Sequence, residues 1–129
     1  MNFIMLDIDE ILELHDDVIN NLGGIHGIKN ESQLLSSLKR PFTLAFGYET
    51  FPTIEEKISV VAHSIIYFHV FNDGNKRTGM YVLFTLLDMN DICVDYEQYE
   101  ITDLAVNIAE GKYDVPEIAN WINEHKINR

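Results

Sequence analysis

Apolar residues recur at intervals of three and four along most of the chain, whereas the alternation typical of a half-buried strand is scarce. This periodicity predicts an all-α protein of about six helices. The sequence contains no internal repeat, low-complexity tract or linker, so residues 1–129 are predicted to form a single compact domain. Caps included, the predicted helices cover residues 8–22, 30–39, 53–68, 75–89, 101–110 and 115–126.

Turn and capping residues support these boundaries. Gly23 and Gly24 end the first helix, because glycine commonly follows the last helical turn. Asn30 is the predicted N-cap of the second helix, and Pro41 closes that helix. The segment 41–52 is predicted to be a loop. Two pairs have the spacing of a capping box, Thr53 with Glu56 and Asp114 with Glu117.

The apolar positions also predict which faces are buried. The stretch 75–89 is apolar on most sides, so it is predicted to be the central, buried helix. Trp121 is predicted to anchor the last helix in the core. The segment 92–94 is predicted to be extended, with Cys93 as a buried thiol. The predicted inner stripes are Ile8, Ile11, Leu12, Val18, Ile19 and Leu22 in the first helix, and Ile58, Val61, Ile65 and Phe68 in the third.

Charge and composition exclude several classes of function. Acidic residues outnumber basic ones 21 to 9, and the formal net charge of −12 argues against nonspecific binding to nucleic acid or anionic membranes. The most apolar stretch, 58–71, is too short to span a bilayer, and the first ten residues lack the features of a signal peptide. One cysteine excludes an intrachain disulfide and a four-cysteine zinc site, which predicts a protein of the reducing cytosol.

Candidate chemistry is concentrated in residues 69–78, at the turn between the two most apolar helices. Lys76 and Arg77 stand in the first turn of a helix, where the helix dipole disfavours cations. Their position therefore indicates an anion-binding site. The amides of Gly74, Asn75 and Lys76 are predicted to form a nest for phosphate oxygens, which Gly74 lets approach closely.

Three more residues of this stretch complete the predicted site. Asp73 is suited to hold Mg²⁺ that bridges phosphate oxygens. His69 is a candidate general base, because a histidine is mostly neutral at pH 7 and can accept a proton from a hydroxyl. Phe71 is predicted to point into the core and anchor the turn. Together these residues favour phosphoryl or nucleotidyl transfer. The residue types alone leave open a purely structural polar turn with an ion pair between Asp73 and Arg77.

The order of these residues resembles the signature of the Fic/Doc family, H-[PxIV]-F-x-[DE]-[GA]-N-[GK]-R. In this chain the stretch runs His69-Val70-Phe71-x-Asp73-Gly74-Asn75-Lys76-Arg77. The stretch 14–16, the Gly23-Gly24 stop, the Gly27 loop and the segment 105–119 resemble the Doc (death-on-curing) branch of that family. The resemblance covers essentially the whole chain and implies a Fic fold in which the motif loop leads into a central buried helix.

The resemblance to the Doc branch also implies an activity. Members that transfer AMP carry Gly at the position of Lys76 and a second Arg at that of Met80. The residues found here imply the reversed nucleotide orientation, with the γ-phosphate of ATP at the site of attack. The chain is therefore expected to be an ATP- and Mg²⁺-dependent kinase that phosphorylates a hydroxyl of elongation factor Tu and halts translation in the bacterial cytoplasm. A small antitoxin with a disordered tail is expected to cover the site.

Two other functions remain open at this point. One is transfer of AMP to a protein hydroxyl. The other is a nucleotide-binding or partner-binding module without turnover. No segment fits the inhibitory helix motif of some Fic proteins, so inhibition by a separate partner is expected.

The remaining histidines and one glycine have simpler predicted roles. The pair His15-Asp16 is similar to the metal-binding pair of HD phosphohydrolases, but no earlier histidine precedes it, so a surface or packing role is predicted. His63 is predicted to be a hydrogen-bonded core residue. His26 and His125 are predicted to be solvated. Gly79 is expected to allow either close helix packing or room for a nucleotide.

Overall fold

The computed structural model describes residues 2–128; Met1 and Arg129, the ends of the predicted domain, lie outside the described residues. The prediction of an all-α protein with six helices is confirmed for this range. Helix α5 begins three residues earlier than predicted, because Glu97 and Glu100 form a capping box there. The helices are α1 (Ile8–Leu22), α2 (Glu31–Lys39), α3 (Ile54–Tyr67), α4 (Asn75–Met89), α5 (Gln98–Ala109) and α6 (Val115–His125).

The predicted N-caps are present in the structure. The side chain of Asn30 accepts a hydrogen bond from the amide of Gln33 at 3.1 Å, which caps α2. Thr53 accepts from the amide of Glu56 at 3.1 Å and caps α3. The capping box of α6, between Asp114 and Glu117, is complete. These bonds satisfy amides that have no partner within the helix, and so they fix where each helix begins.

Helices α3 and α4 form the centre of the molecule. They pack against each other more extensively than any other pair of elements, and α3 also contacts α2, α5 and α6. Every residue in 57–66 is buried, whereas α4 leaves Lys76, Arg77, Tyr81 and Asp88 exposed, so α3 is the more enclosed helix. A Cβ atom at Gly79 would lie 2.3 Å from Cγ1 of Ile66. Gly79 therefore serves close packing of the two helices.

Three predicted core positions are wrong. Leu22 is 56% exposed, because it lies at the carboxyl end of α1, beyond the last contact of that helix with the core. Phe68 is 38% exposed, because it is the C-cap of α3 and the chain turns away there. Cys93 is half-buried, because it lies in the connection between α4 and α5 at the edge of the core. The buried residues of α1 are Ile11, Val18 and Ile19 of the predicted stripe, together with His15.

The predicted loop 41–52 contains regular structure that the sequence pattern does not indicate. A 3-10 turn at Arg40–Phe42 is followed by strands β1 (Leu44–Ala45) and β2 (Tyr48–Glu49), which pair antiparallel. The buried ammonium of Lys57 donates to the carbonyl oxygens of Pro41 and Phe51 and to the carboxylate of Glu49. Lys57 therefore holds together the base of this hairpin.

The short extended segment predicted at residues 92–94 is present, since Val94 forms a β-bridge with Lys126. Trp121 is buried in the core, as predicted. Among residues 2–128, no helix is long and apolar enough to cross a membrane.

Candidate active site

The motif loop between α3 and α4 is held by the loop that follows α1. The amide of Lys29 donates to the carbonyl oxygen of Val70 at 2.9 Å, and the amide of Asn72 donates to that of Gly27 at 3.0 Å. These bonds form a short antiparallel bridge between residues 28 and 71. The two loops therefore form one backbone platform at the amino end of α4.

Two buried side chains give the motif loop its shape. Phe71 is fully buried among the apolar side chains of the core. The side chain of Asn75 accepts from the amide of Phe71 at 2.9 Å and donates to its carbonyl oxygen at 3.0 Å. These bonds use the oxygen and one N–H of the amide group, so the Asn75 side chain has a structural role in the loop.

His69 is exposed at the start of the loop and has a left-handed backbone conformation, with φ of +50°. Its Nδ1 atom lies 3.1 Å from the carbonyl oxygen of Tyr67. Since a carbonyl oxygen only accepts, Nδ1 carries the hydrogen and donates it. The Nε2 atom of the neutral ring then carries the lone pair that a general base requires.

Asp73 is held at both its side chain and its backbone. Oδ1 accepts from the amide of Gly74 at 3.1 Å, and Oδ2 accepts from the amide of Ile25 at 3.3 Å. The carbonyl oxygen accepts from Nε2 of His15 at 2.9 Å. Within residues 2–128, Asp73 forms no ion pair with Arg77. The ion pair between Asp73 and Arg77 that the sequence left open is therefore absent from the described residues.

The amino end of α4 is open to a ligand. Gly74 has the left-handed conformation, with φ of +73°, and no side chain caps the helix. The first hydrogen bond of the helix is donated by the amide of Thr78 to the carbonyl oxygen of Gly74. The amide of Gly74 donates to the Asp73 side chain, whereas the amides of residues 75–77 stand in the first turn of the helix, where an amide has no acceptor within the helix and can donate to an anion.

These groups line a cleft of about 390 Å³. Lys76 and Arg77 are exposed in its wall, and in the described part of the chain neither forms an ion pair. Their charges are therefore available to an anion. The cleft brings together all the site residues predicted from the sequence except Phe71, which lies in the core beneath it. The lining residues are Val18, Gly23, Ile66, His69, Asn72, Asp73, Gly74, Asn75, Lys76 and Arg77.

The donor set fits a magnesium ion carried by a nucleotide. No group of three or more His, Cys, Asp or Glu side chains suited to a metal occurs among residues 2–128. Mg²⁺ commonly uses only one or two carboxylates and takes its other ligands from phosphates and water. Asp73 beside the nest could supply the carboxylate, since each of its two oxygens has lone pairs beyond the one bonded to an amide.

The other histidines differ in their surroundings. His15 is 2% exposed and stacks on Phe71, so of the two predicted roles, surface or packing, it has the packing role. His63 is a buried core residue with a hydrogen-bond partner, as predicted, and that partner is Arg40. Burial lowers the pKa of His63, although the nearby Asp114 carboxylate acts to raise it. His26 is exposed. His125 is not solvated as predicted, because it packs on Trp121 between α5 and α6.

His15 is the residue of this site that sequence reasoning missed. It occupies an interior position of α1, four residues after Ile11 and three before Val18. A histidine in the middle of an apolar stripe requires a buried hydrogen-bond partner. That signal was present in the sequence, but the partner lies 58 residues further along the chain.

The fold and the cleft define an all-α protein with Lys76 and Arg77 in the wall of a cleft at the amino end of a central helix. The sequence model of the Fic/DOC family matches residues 5–87. The chain therefore belongs to the Fic/Doc family, and its similarity to proteins named Doc assigns it to the Doc branch. It is 28% identical over 114 residues to "Protein kinase doc" of Escherichia phage P1, covering 88% of this chain and 89% of that protein. It is 26% identical over 99 residues to "Toxin Doc" of Mycolicibacterium smegmatis, covering 75% and 76%.

Proposed function

We propose that this chain is a Doc-like toxin that transfers the γ-phosphate of ATP to a hydroxyl side chain of a translation factor, with elongation factor Tu as the target. The observation that carries this proposal is the cleft itself. It combines the available Nε2 atom of His69, the amides at the start of α4 and two cations, Lys76 and Arg77, that form no ion pair with any other described residue. These are the groups required for phosphoryl transfer.

Each group has a distinct task in this reaction. The amides of residues 75–77 and the two cations bind phosphate oxygens and orient the chain of phosphates. His69 accepts the proton of the attacking hydroxyl at Nε2, and its bond to the carbonyl oxygen of Tyr67 supports the imidazolium that forms. Mg²⁺, held by Asp73, would neutralise charge on the phosphates.

Residues Lys76 and Met80 favour phosphoryl transfer over transfer of AMP. Met80 carries no charge, so this position of α4, one turn after Lys76, provides no cation for a leaving pyrophosphate. Lys76 places an exposed charge in the wall of the cleft. A lost charged hydrogen bond to phosphate costs about 1.5–3 kcal/mol, which corresponds to about 10–150-fold in rate. This difference disfavours AMP transfer.

The proposed inhibitor is an antitoxin segment that folds into an amphipathic helix. A second cavity of about 690 Å³ lies between α4 and α5 and shares Lys76 and Arg77 with the cleft. Its walls include Tyr81, Phe84 and Tyr96, which suit the apolar face of a helix. Helix α1 contributes Leu22 to this groove.

The toxin activity can be tested in growing bacteria. Expression of the chain should arrest growth, and His69→Ala should remove the arrest because it lowers transfer by about 10²–10⁴-fold. His26→Ala is the matched control, since His26 is an exposed histidine outside the cleft, and it should remain toxic. Full toxicity of His69→Ala at equal expression would contradict the proposed role of His69.

A further inference from the structure

We propose that His15 is a positioning residue for Asp73, and that this side chain of α1 sets the direction of the carboxylate in the cleft. The Nε2 atom of His15 lies 2.9 Å from the carbonyl oxygen of Asp73. Because that oxygen only accepts, Nε2 carries a hydrogen and donates it. The catalytic consequence of this contact rests on the proposed function, whereas the structural contact does not.

The His15 ring is held by packing against its own helix and against Phe71 of the motif loop. Its ring lies parallel to the Phe71 ring, with centroids 3.8 Å apart and planes 7° from parallel. It is buried together with Ile11, Val18 and Ile19 on the inner face of α1. Because the His15 ring packs against α1 residues and against the Phe71 ring, it has few alternative rotamers, and its donor atom occupies a defined position.

The contacts on the other side of Asp73 complete the support. The amides of Ile25 and Gly74 each bond one carboxylate oxygen. A Cβ atom at Gly24 would lie 2.9 Å from Oδ2 of Asp73, so the loop after α1 lies directly against the carboxylate. Asp73 is thus held at its backbone by α1 and at its side chain by the loop that α1 leads into.

Apolar packing alone would not require a histidine at this position. A phenylalanine would preserve an aromatic ring on Phe71 but would leave the carbonyl oxygen of Asp73 without its donor. A glutamine would preserve an N–H donor but lose the stacked ring. The variants His15→Phe and His15→Gln therefore separate hydrogen bonding from packing. His15→Met is a second variant without a donor, should His15→Phe fail to fold.

The first readout is amide hydrogen exchange, measured by NMR on the whole chain without nucleotide. In His15→Phe the amides of Ile25 and Gly74 should exchange about 3- to 10-fold faster, as expected for loss of one hydrogen bond. The amides of α6 should be unchanged. His15→Gln should stay close to the parent at both amides. Equal exchange in the parent and His15→Phe, or equal acceleration in both variants, would overturn the proposal.

The second readout is ATP binding titrated with and without Mg²⁺. His15→Phe should raise the Kd for ATP with Mg²⁺ about 3- to 10-fold and leave the Kd without Mg²⁺ unchanged, because only Asp73 is displaced. An equal change under both conditions would overturn the proposal. If the parent chain does not bind ATP at all, the proposed function fails, and the exchange experiment still decides whether His15 positions Asp73.

Discussion

At the scale of single residues, the motif divides into side chains that shape the loop and side chains that face the cleft. Phe71 is buried, and Asn75 bonds both backbone atoms of Phe71. His69, Lys76 and Arg77 are exposed in the wall of the cleft. Burial of a polar group such as the Asn75 amide is tolerated because both its oxygen and its nitrogen form a hydrogen bond. The exposed groups are therefore the ones that the proposed reaction uses.

Asp73 belongs to both groups, and its replacement separates its two roles. Asp73→Asn keeps one side-chain oxygen that can accept from Ile25 or Gly74, so the loop should stay folded. The lost charge should weaken Mg²⁺-dependent ATP binding by about 10–150-fold, with partial rescue at higher Mg²⁺ concentration. Calorimetric titration at two Mg²⁺ concentrations measures this change. Binding equal to that of the parent would show that the carboxylate only supports the loop.

At the scale of elements, the hairpin of β1 and β2 depends on a buried lysine in α3. Lys57 is 4% exposed, and its ammonium group donates to two carbonyl oxygens and to Glu49. Its charge is compensated by these three acceptors rather than by water. The hairpin itself presents Phe46 and Tyr48 to solvent, so it buries little apolar surface that could hold it in place.

Removal of the buried Lys57 ammonium group should therefore lower the free energy of unfolding more than removal of an exposed lysine ammonium group. Lys57→Met leaves the carbonyl oxygens of Pro41 and Phe51 without a donor and should lower the free energy of unfolding by about 1.5–3 kcal/mol. Lys112→Met, at an exposed position, is the control and should change it by less than about 0.5 kcal/mol. Urea denaturation measures both. Equal stability of the two variants would contradict the proposed role of Lys57.

Helices α5 and α6 are joined by a pair of titrating groups. Both ring nitrogens of His125 contact acceptors, the carboxylate of Glu100 and the carbonyl oxygen of Trp121. Burial lowers the pKa of His125, but the hydrogen bonds to Glu100 and Trp121 outweigh it and raise that pKa above 6.5. The pKa of Glu100 is lowered by its hydrogen bond to the backbone of Glu97 and by His125. The charged forms of both residues therefore stabilise the folded chain.

This pair predicts a pH-dependent contribution to stability. A raised histidine pKa contributes stability below the unfolded value of 6.5 and loses it as the pH rises through the folded value. The lowered pKa of Glu100 acts at the acidic side, since that contribution is lost as the pH falls through its folded value. The stability difference between the parent and His125→Gln should thus be largest near about pH 5.5–6 and shrink above about pH 6.5. Thermal unfolding across this range measures it, and a difference that grows with pH would contradict the assignment.

At the scale of the whole molecule, much of the fold could be predicted from the sequence because helices have local signals. Apolar periodicity and capping residues predicted all six helices, and the order of residues 69–77 predicted the cleft. The hairpin was missed because two-residue strands have no periodicity. The hydrogen bond of His15 was missed because its acceptor, Asp73, is distant in the sequence. The prediction that His125 is solvated was wrong for the same reason, since its acceptor is Glu100.

The net charge of the molecule and the local charge of the cleft have opposite signs. The net charge of −12 repels anions at long range, but salt screens that repulsion beyond about 8–10 Å. Within the cleft, Lys76, Arg77 and the amides at the start of α4 act at short range and in a fixed geometry. The molecule should therefore bind nucleotide in its cleft without binding nucleic acid along its surface.

Transfer of the γ-phosphate of ATP to protein by this cleft can be measured with isotope. The chain is incubated with a bacterial lysate and ATP that is radiolabelled at either the α- or the γ-phosphate, with His69→Ala as the inactive control. We expect label from γ-labelled ATP to enter protein with the parent chain and not with His69→Ala, and α-labelled ATP to give none. Label from α-labelled ATP without label from γ-labelled ATP would contradict phosphoryl transfer and identify an AMP transferase.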